Sequence, residues 1–104
     1  MESKSAIEAL VALGQETRLA AYRLLVEIGP EGLPAGEVAA RVGANASTMS
    51  HHLAQLERAG LLRSTRRERY ILYAVDWEGT QQLLGFLTED CCKFQPEARD
   101  DDCT

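Results

Sequence analysis

The apolar positions of this chain fall into five stretches with helical spacing and one that alternates. "AIEALVALG" (6–14) and "ETRLAAYRLLVEIG" (16–29) predict two helices, the second with Leu19, Tyr22, Leu25 and Val26 on a common face and Gly29-Pro30 as its stop. "GLPAGEVAARVG" (32–43) predicts a short third helix with Val38, Ala39 and Val42 inward and Gly43 where a left-handed residue ends it. After "GAN", "ASTMSHHLAQLERAG" (46–60) predicts a fourth, with an apolar stripe of Met49, Leu53 and Leu56, an N-cap at Asn45 and Gly60 as its end. "LLRSTRRERYILYAV" (61–75) changes period: runs at 61–66 and 69–75, the second alternating Tyr70, Leu72 and Ala74 against Ile71, Tyr73 and Val75, predict a β-hairpin turning near Arg67-Glu68. "WEGTQQLLGFLTEDCC" (77–92) predicts a last helix that Trp77 closes at its start, with an apolar face of Leu83, Leu84, Phe86 and Leu87.

A short helix, a three-residue turn led by glycine and a second helix have the spacing of a helix-turn-helix. The second of the pair begins at Asn45 and exposes Ser47, Thr48, Ser50, His51 and His52, short or planar groups that reach phosphates or base edges when a helix end enters a major groove. The hairpin that follows carries Arg66, Arg67 and Arg69 near its tip, where they meet the sugar-phosphate backbone or the minor groove as a wing does.

Charge sharpens this picture. The formal net charge is -5, which by itself speaks against nucleic acid, but its distribution is segregated. From Arg41 to Tyr73 six arginines face only Glu57 and Glu68, whereas the segments on both sides are acidic. A phosphate backbone meets local surface rather than net charge, so residues 41–73 are the candidate nucleic-acid face.

"ALGQETRLAAYRLLV", "GLPAGEVAARVGANASTMSHHLAQLERAGLL" and "RRERYILYAV", in this order, resemble the ArsR/SmtB family of metalloregulatory repressors, over roughly Ile7 to Leu87. The resemblance implies a mainly α protein with a small β-hairpin, a winged helix-turn-helix that is homodimeric, with the first and last helices packed across a two-fold axis. It also implies a repressor of operator DNA that dissociates when it binds a metal or metalloid.

Two sites known in that family have no counterpart here. Residues 76–89 contain no histidine for a zinc site, and "GEVAARVG" contains no cysteine for an arsenic site beside the recognition unit. All three cysteines, Cys91, Cys92 and Cys103, lie in an acidic tail, "TEDCCKFQPEARDDDCT". Thiolates are soft donors, and three of them match trivalent arsenic or antimony, which forms three bonds and keeps a lone pair. Adjacent cysteines close on each other only in a strained ring, and Cys103, 11 residues beyond Cys92, lies within about 36 Å of reach in either subunit. Some arsenic-responsive members of the family are similar in having a vicinal Cys-Cys after the dimer helix and a third Cys downstream. Cadmium, copper(I), mercury and a thiol redox switch remain alternatives, the last disfavoured by the acidic neighbours, which oppose thiolate formation.

With 104 residues and a hydrophobic fraction of 45%, the chain suits one domain, taken as residues 1–90 for DNA binding and dimerisation with a sensor tail at 91–104. No run approaches the roughly 18 apolar residues of a membrane span, and "MESKSAIEALVALG" lacks an export signal's cleavage site, so a cytoplasmic, membrane-free protein is expected. An enzyme is not: adjacent histidines on one helix diverge, and neither a phosphate-binding glycine loop nor a nucleophile motif accompanies them. No cofactor beyond the As(III) or Sb(III) effector is expected.

Overall fold

Alanine makes up most of what the first two helices bury. In the computed structural model, which describes residues 1–89, α1 (Ser3–Leu13) buries Ala6, Ala9 and Ala12, and α2 (Glu16–Ile28) buries Ala21 and Leu25. Small buried residues let helix axes approach closely, and α1 packs on α2, α4 and α5. The large apolar residues of α1 stand outside this packing, with Ile7 and Val11 each 59% exposed and Leu10 43% exposed. On α2 the expected common face does not hold. Leu25 is buried and Tyr22 half-buried, but Leu19 and Val26 are exposed, because the helix turns its small Ala21 inward instead.

Leu33 and Pro34, expected as part of the third helical stretch, form a two-residue strand, β1 (Leu33–Pro34). Proline drives the residue before it into extended backbone and lacks an N–H for a ladder, which suits a short edge strand. Its ring also leaves Pro34 as the non-helical residue (φ -68°, ψ 156°) from which α3 (Ala35–Val42) starts. α4 (Ala46–Arg58) follows, then β2 (Leu62–Arg67) and β3 (Tyr70–Val75). The hairpin is therefore part of a three-stranded antiparallel sheet in the order β1-β3-β2, with Leu33 opposite Tyr73 and Leu62 opposite Val75. Burial along β3 grades rather than alternates. Tyr70 and Ile71 at the tip are exposed and Ala74 and Val75 at the base are buried, since only the base lies over the helices.

α5 (Trp77–Thr88) is seated on the turn that leaves α4. The Asp76 carboxylate accepts from the Gly79 N–H at 3.1 Å and caps the helix, while the Asp76 N–H donates to the Leu61 carbonyl at 2.9 Å. Trp77, expected to close the helix start, is 46% exposed, and Asp76 does that work. Thr80 is buried; its hydroxyl donates to the Asp76 carbonyl at 3.1 Å and so accepts from the Tyr22 phenol at 2.5 Å, which fastens α5 to α2. Leu83 completes a continuous core with Leu25, Val38, Met49, Leu53, Leu56, Leu61, Leu62 and Val75. Together the elements form a winged helix-turn-helix. Among the described residues no helix is long and apolar enough to cross a membrane. The tail from residue 90, with Cys91, Cys92 and Cys103, lies outside the described residues.

Gly79 is required by close approach rather than by its dihedrals. A Cβ there would collide with the Gly60 carbonyl oxygen, a backbone atom that cannot step aside. Gly79→Ala is expected to cost about 2–3 kcal/mol and to lower the melting temperature by roughly 10 °C or more, read by thermal denaturation; Gly85→Ala, which meets nothing within 4 Å, is the control and should be neutral or stabilising by up to about 1 kcal/mol.

Candidate nucleic-acid interface

The turn between α3 and α4 is set by two residues. Gly43 adopts φ 85°, a left-handed conformation that ends α3 with its N–H on the Ala39 carbonyl at 2.8 Å. Asn45 then starts α4: its side-chain oxygen accepts from the Ser47 N–H at 2.9 Å, the Thr48 N–H at 3.3 Å and the Ser47 hydroxyl at 2.7 Å. Three donors on one oxygen hold the first turn without help from the core. The helix buries Met49, Leu53 and Leu56, which leaves Ser47, Thr48, Ser50 and His51 exposed on the side away from that stripe. The Ser50 hydroxyl donates back to the Ala46 carbonyl at 3.3 Å, so its lone pairs stay available to an outside donor.

His52 departs from the expected exposed row. It is half-buried, with Nδ1 3.2 Å from Nη1 of Arg18, and Arg18 Nε donates to the Ala12 carbonyl at 2.6 Å. A guanidinium only donates, so Nδ1 accepts, and the neutral ring carries its proton on Nε2. Desolvation first, then the charges of Arg18 and His51, hold the imidazole pKa below its ordinary value. Arg18 is a residue that the pattern of apolar positions did not single out. The signal was present, since Arg18 precedes Ala21 by three and Leu25 by seven and so lies on the buried seam of α2, where a charge needs a partner.

The wing carries Arg63, Arg66 and Arg67 on β2, all exposed. Arg67 pairs with Tyr70, which makes Glu68-Arg69 the turn and takes Arg69 out of the strand in which it was expected. With no glycine at the tip, Glu68 itself takes φ 57°. The wing is tied to α4 at its base, where the Ser64 hydroxyl donates to Glu57 at 2.7 Å. Glu57 also stands near Tyr73, whose phenol pKa is raised by burial and then by that carboxylate. Among the described residues one ion pair forms, Arg41 with Glu37 at 3.3 Å, exposed and worth little. The wing arginines therefore have no carboxylate partner among the described residues. Two basic or donor-rich surfaces are thus held beside each other: the exposed row of α4 and the arginine wing.

Among the described residues no three His, Cys, Asp or Glu side chains converge as a metal would require. Cys91, Cys92 and Cys103, the expected ligands, lie beyond them.

Comparison with known proteins matches residues 13–65 to the sequence model of a helix-turn-helix domain. The HTH-type transcriptional regulator YgaV of Escherichia coli (strain K12) is 34% identical over 64 residues, which span 62% of this chain and 65% of YgaV, a little under two thirds of that relative. An ArsR-like transcriptional regulator from Rhodococcus sp. RHA1 superposes with a TM-score of 0.73 at 22% identity, covering 89% of this chain and 85% of its own. The homodimeric winged helix-turn-helix domain of Mb0332 from Mycobacterium bovis, a possible ArsR-family regulator, superposes at 0.67 with 18% identity over 92% of this chain and 87% of that one. The fold is that of ArsR-type winged helix-turn-helix regulators.

The cap geometry gives a direct test. Asn45→Ala should lose about 1 kcal/mol of stability, whereas Asn45→Asp, which keeps the acceptor, should stay within about 0.5 kcal/mol in urea denaturation.

Proposed function

The chain belongs to the helix-turn-helix domain family, and from that premise we propose that it is a transcriptional repressor that binds operator DNA as a homodimer and dissociates when trivalent arsenic or antimony binds its cysteines. The observation that carries the DNA reading is the exposed row of Ser47, Thr48, Ser50 and His51 on α4, set beside a wing whose arginines have no carboxylate partner among the described residues. In this reading the first turns of α4, with Asn45 at its cap, enter the major groove. Arg66, Arg67 and Arg69 grip the adjacent backbone, which sets register, while α4 reads base edges.

A dimer accounts for the outward apolar residues. Ile7, Leu10 and Val11 on α1 and Leu84 and Leu87 on α5 are each at least 43% exposed, and α1 and α5 pack against each other, so the two helices present them together. A second copy covering them places two recognition helices about one duplex turn, roughly 34 Å, apart.

The effector reading rests on donor chemistry. Cys91 and Cys92 follow α5 in sequence, and with Cys103 they supply three thiols and no imidazole. Arsenous acid would exchange its three hydroxide ligands for three thiolates, each thiol proton leaving with a hydroxide as water and arsenic staying trivalent. Capture at the end of a dimer helix changes the spacing of the recognition helices if the two equilibria are coupled by about 1–3 kcal/mol, a typical allosteric value.

One gel-shift series, on a duplex selected by the protein from a randomised pool, tests both halves. Replacing Arg66, Arg67 and Arg69 by Gln should weaken binding at least about tenfold and flatten its salt dependence; unaltered binding removes the wing from the interface. Replacing Cys91 and Cys92 by Ser should leave binding intact and abolish release by arsenite. Release that persists in that variant excludes the tail, and release of the wild type by peroxide, cadmium, copper(I) or mercury but not arsenite assigns the tail to those agents instead.

A further inference from the structure

We propose that Arg18, which lies on α2 outside the recognition helix, is a positioning residue for DNA sequence discrimination, acting through His52 as a clamp that closes only on the neutral imidazole. The inference rests on the DNA-binding reading above.

Two long-range side-chain hydrogen bonds leave α2 from residues one helical turn apart, Tyr22 to Thr80 of α5 and Arg18 to His52 of α4. The second holds the middle of the recognition helix; the bond from Ser64 to Glu57 ties its C-terminal end to the wing, and the apolar stripe of Met49, Leu53 and Leu56 seats it on the core. Close packing holds that stripe in place, and a directional hydrogen bond adds resistance to rotation about the helix axis. Arg18 resists it well: Nε is fixed on the Ala12 carbonyl at 2.6 Å, so the guanidinium presents Nη1 to His52 Nδ1 from a defined direction at 3.2 Å. The plane of the guanidinium makes the two bonds one rigid unit, joining the end of α1, the start of α2 and the middle of α4. His52 adjoins His51 of the exposed row, so a rotation that opens the clamp also re-aims the groups that face the groove. Reading base edges tolerates only about 0.5 Å or 10–20° of error, whereas phosphate attraction tolerates far more.

Protonation opens the clamp, because a protonated Nδ1 cannot accept and the imidazolium then faces a guanidinium. The charged and titratable groups that act on the ring are Arg18 from α2 and His51 from its own helix, and both oppose the cation. Of the other elements packed on α4, α1 supplies the Ala12 carbonyl to Arg18, α3 carries Glu37 and Arg41 paired with each other, and β2 meets α4 through Ser64 and Glu57. A pKa held below the ordinary imidazole value means that the fold binds the proton less well than the unfolded chain does. The clamp is therefore complete above the ordinary range and is lost as pH falls through the lowered value. Acidification strengthens generic phosphate attraction at the same time, so the ratio of selected to scrambled DNA affinity is the quantity that reports the clamp.

The test measures that ratio for the selected duplex and a scrambled duplex of equal composition, between about pH 7.5 and 5.5, in wild type, Arg18→Lys and His52→Gln. The wild-type ratio should hold through the ordinary imidazole range and fall at least about twofold toward the lower end of the window, as pH approaches the lowered value. Arg18→Lys, which keeps the charge but cannot span both acceptors, should show a low ratio already at the upper pH with an unchanged salt slope. His52→Gln, whose carbonyl can accept from Arg18, should hold an intermediate ratio that no longer follows pH. Nitrogen NMR of the DNA-free protein should find His52 Nδ1 unprotonated at neutral pH, titrating below an ordinary histidine and returning toward it in Arg18→Lys. A pH-independent wild-type ratio, a His52→Gln ratio that still follows pH, or a salt slope reduced in Arg18→Lys overturns the clamp and leaves DNA binding standing. Failure of the wild type to bind any duplex from the pool overturns the DNA reading, and the clamp's role in discrimination with it.

Discussion

A helix of 13 residues that leaves one face open to solvent can be held only by the other face, and that constraint governs this molecule. α4 keeps its exposed row free because Met49, Leu53 and Leu56 are fully buried, against a core to which α2, α3, both hairpin strands and α5 contribute. Removing such a leucine from a core costs about 2–5 kcal/mol, a large part of the stability of a domain this size, so the open face and the closed one depend on each other. Local devices add what packing cannot. Gly43 turns the chain, Asn45 starts the helix, and the hydrogen bond from Ser64 to Glu57 sets the wing beside it.

The same economy of surface shapes the opposite side. α1 buries its alanines and leaves its large apolar residues exposed, and it packs on α5, where Leu84 and Leu87 are exposed as well. α5 is not a loose arm, since its first turn lies against the Gly60 carbonyl, its Asp76 N–H is bonded to Leu61, and its Thr80 is held by Tyr22. A helix so placed is continuous, through backbone and through α2, with the start of the wing and the middle of the recognition helix. In the proposed function the cysteines follow the far end of this helix, and a change there reaches the DNA-facing side along α5, through its anchored first turn.

The order of the helices, the three-residue turn, the cap at Asn45 and the α4 stripe were all legible in the sequence, because each rests on local chemistry repeated at a helical period. What escaped notice rests on relations between distant residues. Leu19 and Val26 match a buried face by spacing, but the packing of neighbouring elements turns Ala21 and Leu25 inward and leaves both exposed. Leu33-Pro34 is too short to show strand alternation and becomes a strand only because β3 lies alongside. The turn moved by one residue to Glu68-Arg69 since the pairing of Arg67 with Tyr70, set by the hairpin base, outweighs the absence of a glycine. At the candidate site the exposed serines, Thr48 and His51 stand where expected. His52 does not, as its environment is written by Arg18, 34 positions away.

The most direct measurement is hydroxyl-radical footprinting combined with guanine-methylation interference on the selected duplex. Two major-groove windows of interference centred about one helical turn apart, each flanked by backbone protection from a wing, are predicted for a dimer that reads DNA through α4. A single window, or uniform protection without interference at any base, would contradict it.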